Sequence, residues 1–359
     1  MPNTLIIGSG SYVPENVIEG SHFKDAVFYD DNHQLIEKPT EEIIEKFVDI
    51  TEIERRRYAN PEDFNSDLAH RASLEAIEDA GIDKEEIDYI IFATNFGEVD
   101  VNGIPNFMPS MSARLKGKLG IKRRDCINYD MIFGCPGWVE SLILADTMIK
   151  AGKAKTVLVV GGETLSRVTD PYDRNKMIFA DGAGAVVVTA TEDSAVGVLA
   201  DNTLCDNGEE LCYLENGPSL NLEHDQSQLF IRMRGRKIYE YALKNVPDAI
   251  KATIDKAGLD ISDIGKILIH QANAKMDYAM IGRLFKLYGQ KDYDHAISPM
   301  TIQEFGNSSV ATVPTLFDLI RKGKMEGQQF TPGSHILFTS VGAGMNINCV
   351  VYKFPEGKI

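Results

Sequence analysis

The sequence predicts an α/β protein built from two related halves. Three observations carry that expectation. Short segments recur in the same order in both halves, and each half alternates helical spacing with continuous apolar strands. A length of 359 residues at 43% hydrophobic content also suffices for a large core shared by two domains of ordinary size.

Four pairs of segments show the recurrence. Ala80-Gly81-Ile82-Asp83, with Ile87 and the run Tyr89-Ile90-Ile91-Phe92 behind it, matches Ala257-Gly258-Leu259-Asp260, with Ile264 and Lys266-Ile267-Leu268-Ile269. Phe133-Gly134-Cys135 returns as Phe305-Gly306-Asn307, each ahead of a segment with helical apolar spacing. Val157-Leu158-Val159-Val160 pairs with Ile336-Leu337-Phe338-Thr339, and Gly182-Ala183-Gly184 with Gly342-Ala343-Gly344.

Each half therefore reads as helix, glycine stop, buried strand, turn, helix, buried strand, and a glycine-rich turn into a last strand. Continuous apolar strands alternating with helices predict a largely parallel sheet covered on both faces. The polar residues Thr191-Glu192-Asp193 mark the boundary, giving halves 1–192 and 193–359. Residues 21–45, with Asp30-Asp31-Asn32 and Lys38-Pro39, fall outside the repeat and read as a surface insertion in the first half.

Charge and composition exclude several classes. A formal net charge of −16 is the wrong sign for a general nucleic-acid binder, which displaces counterions with basic groups. The opening residues lack the basic start and apolar run of a signal peptide, and no stretch approaches the ~20 apolar residues of a membrane helix, so a cytoplasmic location is expected. The five cysteines are odd in number and match no zinc or disulfide spacing, so no metal site is expected and most should be plain thiols.

The repeat brings chemistry together. Cys135 and Asn307 occupy equivalent places in the two halves, so a pseudo-twofold arrangement would bring them together near the centre. His270 ends the strand Lys266–Ile269, at the carboxyl edge where open α/β sheets place ligands. A cysteine at the amino end of a helix feels exposed amides and the helix dipole, both of which favour thiolate. Pro136 suits the first helical turn, and Gly134 permits the sharp turn before it. A neutral histidine and an asparagine amide can both donate to a carbonyl oxygen as negative charge builds on it, which carbon–carbon bond formation through an enolate requires.

Phe133-Gly134-Cys135-Pro136-Gly137-Trp138, His270-Gln271-Ala272-Asn273 and Gly306-Asn307-Ser308-Ser309-Val310-Ala311-Thr312-Val313-Pro314 resemble the three active-site motifs of the 3-oxoacyl-acyl-carrier-protein synthase III family. Asp170-Pro171-Tyr172-Asp173-Arg174 and Phe179-Ala180-Asp181-Gly182-Ala183-Gly184-Ala185 resemble it too, and the likeness runs over nearly the whole chain. It implies a thiolase-like fold, two α/β halves in a layered α-β-α-β-α core. It implies that Cys135 takes an acyl group from acyl-CoA while the amides of Cys135 and Gly344 hold the oxyanion, and that His270 and Asn307 stabilise the enolate from malonyl-acyl-carrier protein. Arg174, Arg236, Asn273 and Lys275 are placed at the coenzyme A or carrier-protein surface, and Met108 at the acyl pocket of a partner subunit in a homodimer. No metal or bound cofactor is implied.

The sequence departs from that family at Pro136 and Trp138, which stiffen and enlarge the turn after the nucleophile and predict an altered acyl pocket. A flexible Met108 would admit a longer or branched chain than a rigid aromatic. Such features fit a specialised condensing enzyme of lipid, polyketide or pigment synthesis as well. A degradative thiolase would carry a second cysteine at Ser340–Gly344, whereas Cys349 lies in the strand beyond. A hydroxymethylglutaryl synthase would carry a glutamate where Asn95 stands, with Glu98 nearby. A non-catalytic homologue serving as a partner subunit is the reading from a different class. The cluster Arg55-Arg56-Arg57 reads as a solvated face.

Overall fold

The computed structural model describes residues 2–357. Nine strands form two main sheets. The first contains β1 (Asn3–Tyr12), β2 (Tyr89–Ala93), β3 (Ile127–Met131), β4 (Thr156–Thr164) and β5 (Asp181–Thr191) in the order β1-β5-β4-β2-β3. The second contains β6 (Gly197–Cys205), β7 (Ile264–Ile269), β8 (His335–Gly342) and β9 (Asn346–Lys353) in the order β6-β9-β8-β7. Position by position the two orders agree, β3 being the addition in the first.

Both sheets are mixed, not largely parallel. β2 runs parallel to β3 and β4, and β7 runs parallel to β8. The remaining neighbours, β4–β5, β1–β5, β8–β9 and β6–β9, are antiparallel. The reason lies in the connections. Only short 3-10 turns at Leu165–Arg167 and Arg174–Ile178 separate β4 from β5, and the three residues Ala343–Met345 separate β8 from β9. Without a crossover helix the chain must come back beside itself in the opposite direction.

Side-chain alternation decides how the layers stack. Along β7, β8 and β9, Leu268, Ile336, Phe338, Val350 and Tyr352 face one core, while Ile267, Ile269, Leu337, Cys349 and Val351 face another. The first sheet divides likewise, Ile91, Val159 and Val186 to the shared core and Ile90, Phe92 and Val187 to the outside. Helices α4 (Gly137–Lys150) and α7 (Thr312–Arg321) fill the shared core, with Trp138, Leu142, Leu316 and Phe317 packed between the sheets. Both helices are apolar around most of their circumference, as a helix enclosed on both sides must be. Helices α2 (Asn65–Ala80) and α3 (Met111–Leu119) cover the first sheet, and α5 (Gly235–Lys256) and α6 (Ala274–Leu287) cover the second. The result is the five-layer α-β-α-β-α stack. No helix of the described residues is long and apolar enough to cross a membrane.

Three expectations change here. Trp138 points into the inter-sheet core, edge-on to Phe338 at 5.9 Å, so its bulk does not enter a substrate cavity. The stretch 21–45 is more than a surface insertion: Phe23 and Phe28 are buried with Leu165, Phe179 and Ile231, and helix α1 (Thr40–Thr51) begins within it. Arg56 is also no solvated residue. It sits on a short strand, Arg55–Tyr58, whose alternation turns Arg55 outward to Glu304 and Arg56 inward, where it donates to the carbonyls of Met177 and Ile18.

Candidate active site

Two turns, one from each half, meet back to back. Gly134 takes φ +70°, a conformation open to glycine, and Cys135 follows it directly ahead of α4, for which Pro136 is the cap. Opposite stands Gly342 at the end of β8. A Cβ on Gly342 would lie 2.6 Å from the Cys135 amide nitrogen, and a Cβ on Gly134 would lie 2.7 Å from the Ala343 nitrogen. Neither turn has room for a side chain, so the glycines set how closely the halves approach.

Asn307 arrives from the second half but is pinned by the first: its amide donates to Ile178 O at 2.9 Å, and its carbonyl accepts from Ala180 N at 2.8 Å. Its Oδ1 accepts from Ser309 N at 2.7 Å, which fixes the carboxamide so that its NH2 is the end left to donate. His270 extends the β7 ladder through its amide to Thr339 O at 2.9 Å. Its ring is buried, and its Nδ1 has no hydrogen-bond partner among the described residues. The Ser309 hydroxyl accepts from Asn95 Nδ2 at 3.2 Å, and Ser309 and Cys135 line the same cavity. Ser309 holds its bond to Asn307 in a left-handed conformation, φ +53°, that a non-glycine residue adopts at a cost of about 1–3 kcal/mol.

Burial dominates the electrostatics. It pushes the Cys135 thiol up to about 11, with Ser309 pulling it down and Glu163 pushing it up. The helix end that favours thiolate is present, yet desolvation outweighs it, so the resting group at neutral pH is the thiol. Burial holds His270 at about 4, so the imidazole is neutral at physiological pH.

Cys135 and Ser309 face a cavity of about 370 Å³ that Asn95, Phe96, Ile132 and Gly344 also line. Neither Pro136 nor Trp138 reaches it. Its outer wall includes Leu214, Glu215 and Ile231 from the hairpin Leu214–Gly217/Phe230–Met233. On the far side of that hairpin a second cavity is lined by Asp31 and His33 of the insertion and by Arg232 and Arg234.

His270 and Asn307 are buried and do not line this cavity, and Arg174, Arg236, Asn273, Lys275 and Met108 lie outside it as well. Arg174 is exposed beside Asp30 of the insertion, and Arg236 is 91% exposed and paired with Glu240 at 2.8 Å. Asn273 caps α6 by accepting from Met276 N at 3.1 Å, and Lys275 is exposed on the same first turn. Met108 is 85% exposed, on a loop that also displays Val101, Ile104 and Phe107.

Groups required by competing chemistries are engaged elsewhere. Cys349 is buried in β9 within the outer core of the second sheet. Glu98 is buried and accepts from Ser66 N at 2.9 Å and Ser66 Oγ at 2.6 Å. The carboxyl nearest Asn95 is instead Glu163, fully buried at the end of β4, and it does not line the cavity. Sequence reasoning missed Ser309, Asn95 and Glu163 as parts of the site. Glu163 had a signal, a carboxylate closing the otherwise uncharged run Thr156–Gly162. Ser309 had none beyond its place two residues after Asn307.

Comparison with known proteins identifies the family. The model of 3-oxoacyl-[acyl-carrier-protein] synthase III matches residues 129–207, and the model of its C-terminal part matches 254–354. The beta-ketoacyl-[acyl-carrier-protein] synthase III of Erythrobacter litoralis is 34% identical over 99% of this chain and 100% of its own. The crystal structure of the synthase III from Aquifex aeolicus superposes with a TM-score of 0.79 at 30% identity, covering 98% of this chain and 100% of that one. The priming beta-ketosynthase of the R1128 polyketide pathway superposes with a TM-score of 0.80 at 26% identity, covering 98% and 96%. The chain belongs to the 3-oxoacyl-[acyl-carrier-protein] synthase III family, with the thiolase fold of that family and its acyltransferase type of condensing chemistry.

Proposed function

We propose that this protein transfers an acyl group from acyl-CoA to Cys135 and condenses it with malonyl-acyl-carrier protein, releasing carbon dioxide. The observation that carries the reading is the meeting of the two turns, where Gly342 packs against the Cys135 amide and Cys135 lines a cavity together with Ser309 and Gly344.

In the first step the Cys135 sulfur attacks the thioester carbonyl. The thiol is protonated at rest, so its proton must leave as the new carbon–sulfur bond forms, and the neutral His270 ring is the available acceptor. The amides of Cys135 and Gly344 hold the oxyanion, and the carbon–sulfur bond to coenzyme A breaks, its thiolate taking up the proton. In the second step the malonyl thioester loses carbon dioxide. The enolate oxygen accepts hydrogen bonds from neutral His270 and from the Asn307 NH2 group, and the enolate carbon attacks the acyl-cysteine and expels the Cys135 thiolate. Both steps are acyl transfers with no net oxidation, so the chemistry calls for no bound cofactor.

We assign Arg174, Arg236, Asn273 and Lys275 to contact with the anionic coenzyme or carrier protein, Arg174, Arg236 and Lys275 being exposed cations, and the apolar loop at Met108 to contact with a second copy in a cytoplasmic homodimer. Intact-protein mass spectrometry after exposure to a ladder of acyl-CoA lengths tests the reading. One length or more should label the protein, Cys135→Ala should stay unlabelled, and Asn307→Ala should label but fail to condense. Equal labelling of Cys135→Ala defeats the proposal, and loss of labelling in Asn307→Ala defeats the division of roles.

A further inference from the structure

We infer that Asn207, Asn346 and the pair of Asp206 with Tyr241 clamp the turn Ala343–Met345 and so aim the Gly344 amide at the oxyanion. This deepens the proposed function and rests on it, since it takes Cys135 as the nucleophile. The four are positioning residues, acting through the carbonyls of the turn.

Each of the three carbonyls is held. Ala343 O accepts from Asn346 Nδ2 at 2.9 Å, Gly344 O from Asn207 Nδ2 at 2.7 Å, and Met345 O from the Asp206 amide at 3.3 Å. Asp206 is itself fixed from α5: the Tyr241 hydroxyl donates to its Oδ2 at 2.6 Å and lies 3.0 Å from Met345 O. A peptide unit is planar and trans, so a carbonyl held in one direction makes the next residue's N–H point the opposite way. The bond to Ala343 O therefore sets the direction of the Gly344 amide, and the bond to Gly344 O sets that of the Met345 amide. Ala343, Gly344 and Asn346 all line the cavity that Cys135 faces.

The backbone of the turn calls for such support. Gly344 takes φ +76° and Met345 φ +45°, two left-handed residues in succession, and Met345 is a buried non-glycine. That conformation persists where the surroundings over-determine it. The clamp closes tightly on the glycine, since a Cβ on Gly344 would lie 2.9 Å from Asn346 Nδ2 and 3.5 Å from Asn207 Nδ2. Asp206 and Asn207 directly follow β6 and are exposed, so part of the clamp is built from a surface segment remote in sequence from the turn. An amide fixed in advance stabilises an oxyanion best, because it does not reorient as charge builds.

Two reagents separate aiming from mere access to the sulfur. p-Nitrophenyl acetate acetylates a cysteine through a tetrahedral oxyanion: the carbon–sulfur bond forms, the bond to p-nitrophenolate breaks, and the thiol proton goes to solvent. Iodoacetamide alkylates the same sulfur by displacement at a saturated carbon and forms no oxyanion. Both are read peptide by peptide by mass spectrometry, because Cys205 and Cys212 are also exposed. The variants are Asn207→Ala, Tyr241→Phe and the two combined, each confirmed as folded by circular dichroism. Acetylation of Cys135 should fall about 10-fold in each single variant and about 100-fold in the pair, as expected when an oxyanion donor is misplaced. Alkylation should stay within about twofold of the parent, since it follows thiolate and access alone. Acetylation and alkylation that fall together overturn the clamp, as does a double variant that acetylates like the parent. A parent whose Cys135 is not acetylated by the ester overturns it too. Neither reagent uses coenzyme A: a parent that behaves as described toward both but takes no acyl group from any acyl-CoA fails the ketosynthase reading and leaves the clamp standing.

Discussion

The same turn occurs once in each half, and the two copies have diverged in what they present. Phe133-Gly134-Cys135 and Phe305-Gly306-Asn307 hold their glycines at φ +70° and +69°. Cys135 then enters α4 almost at once and faces the cavity, whereas Asn307 is buried and followed by a 3-10 turn, Ser309–Ala311, before α7. The glycine triplets differ more. Gly182-Ala183-Gly184 lies inside the straight strand β5, while Gly342-Ala343-Gly344 makes the turn from β8 to β9. The duplicated backbone therefore supplies two equivalent turns near the middle of the molecule. On the proposed reading, divergence at them separates a group that reacts from the groups that support the reaction.

The strongest way to break this comparison is to place the same methyl group at both triplets. Gly342→Ala would put Cβ 2.6 Å from the Cys135 nitrogen and 2.7 Å from Pro136 Cδ, backbone and ring atoms that cannot swing aside. We expect a stability loss of about 1–3 kcal/mol or more and, because the nucleophile and its amide are displaced, acylation lowered by about 100-fold. Gly182→Ala meets nothing closer than Tyr12 O at 3.4 Å, and should stay within about 0.5 kcal/mol of the parent. Thermal denaturation and acylation rates on both variants decide it; equal effects at the two triplets would show that the turns are not distinguished as described.

Sharpening the division of labour calls for pH. His270 is held at about 4 by burial, against an ordinary value of 6.5. Between those values the unfolded chain binds a proton that the native chain does not, so this residue makes stability rise with pH from about 4 to 6.5 and adds nothing further above. The imidazole stays neutral across the same window. Condensation by preformed acyl-enzyme should therefore keep its rate well below pH 6.5, and His270→Ala should lower it by about 100-fold to 1,000-fold at every pH. An acid limb centred at the ordinary histidine value would mean that the ring is solvated during turnover.

The two-half plan was legible because apolar strands and glycine stops are local patterns, and their order survives divergence. The same locality explains the misjudged sheet. Strand direction depends on the connection, and the glycine-rich turns read ahead of the last strand of each half carry no crossover helix and so send the chain back antiparallel. Cys135, His270 and Asn307 were legible because the repeat and motifs placed them at strand ends and turns. Ser309 was not, since its role follows from a positive φ that no local sequence rule assigns to serine. Trp138 and Arg56 were misplaced for a related reason: whether a large side chain faces core or cavity is settled by one residue of helical or strand phase.

The smallest expected effect concerns the ends of the paired strands β4 and β8. Glu163 stands six residues beyond Val157, as Gly342 stands six beyond Ile336, so the place where the second half admits the nucleophile's turn holds a buried acid in the first. Burial raises Glu163 to about 8 from an ordinary 4.5, with the Asn95 and Thr94 hydrogen bonds opposing the rise. Below pH 4.5 both native and unfolded chains carry the proton. From there to about 8 only the native chain keeps it, so Glu163 costs stability progressively as pH rises through that window. Glu163→Gln has the shape of the protonated acid and carries no charge at any pH. The variant should melt with the parent at low pH and increasingly above it as pH approaches 8, with a slight effect on acylation because the Asn95 amide still finds an oxygen. The parent will retain part of its decline, since buried Asp181 and Asp277 are raised in the same direction. A melting difference that is constant with pH would mean that Glu163 does not change protonation on folding, and would leave its contrast with Gly342 one of shape alone.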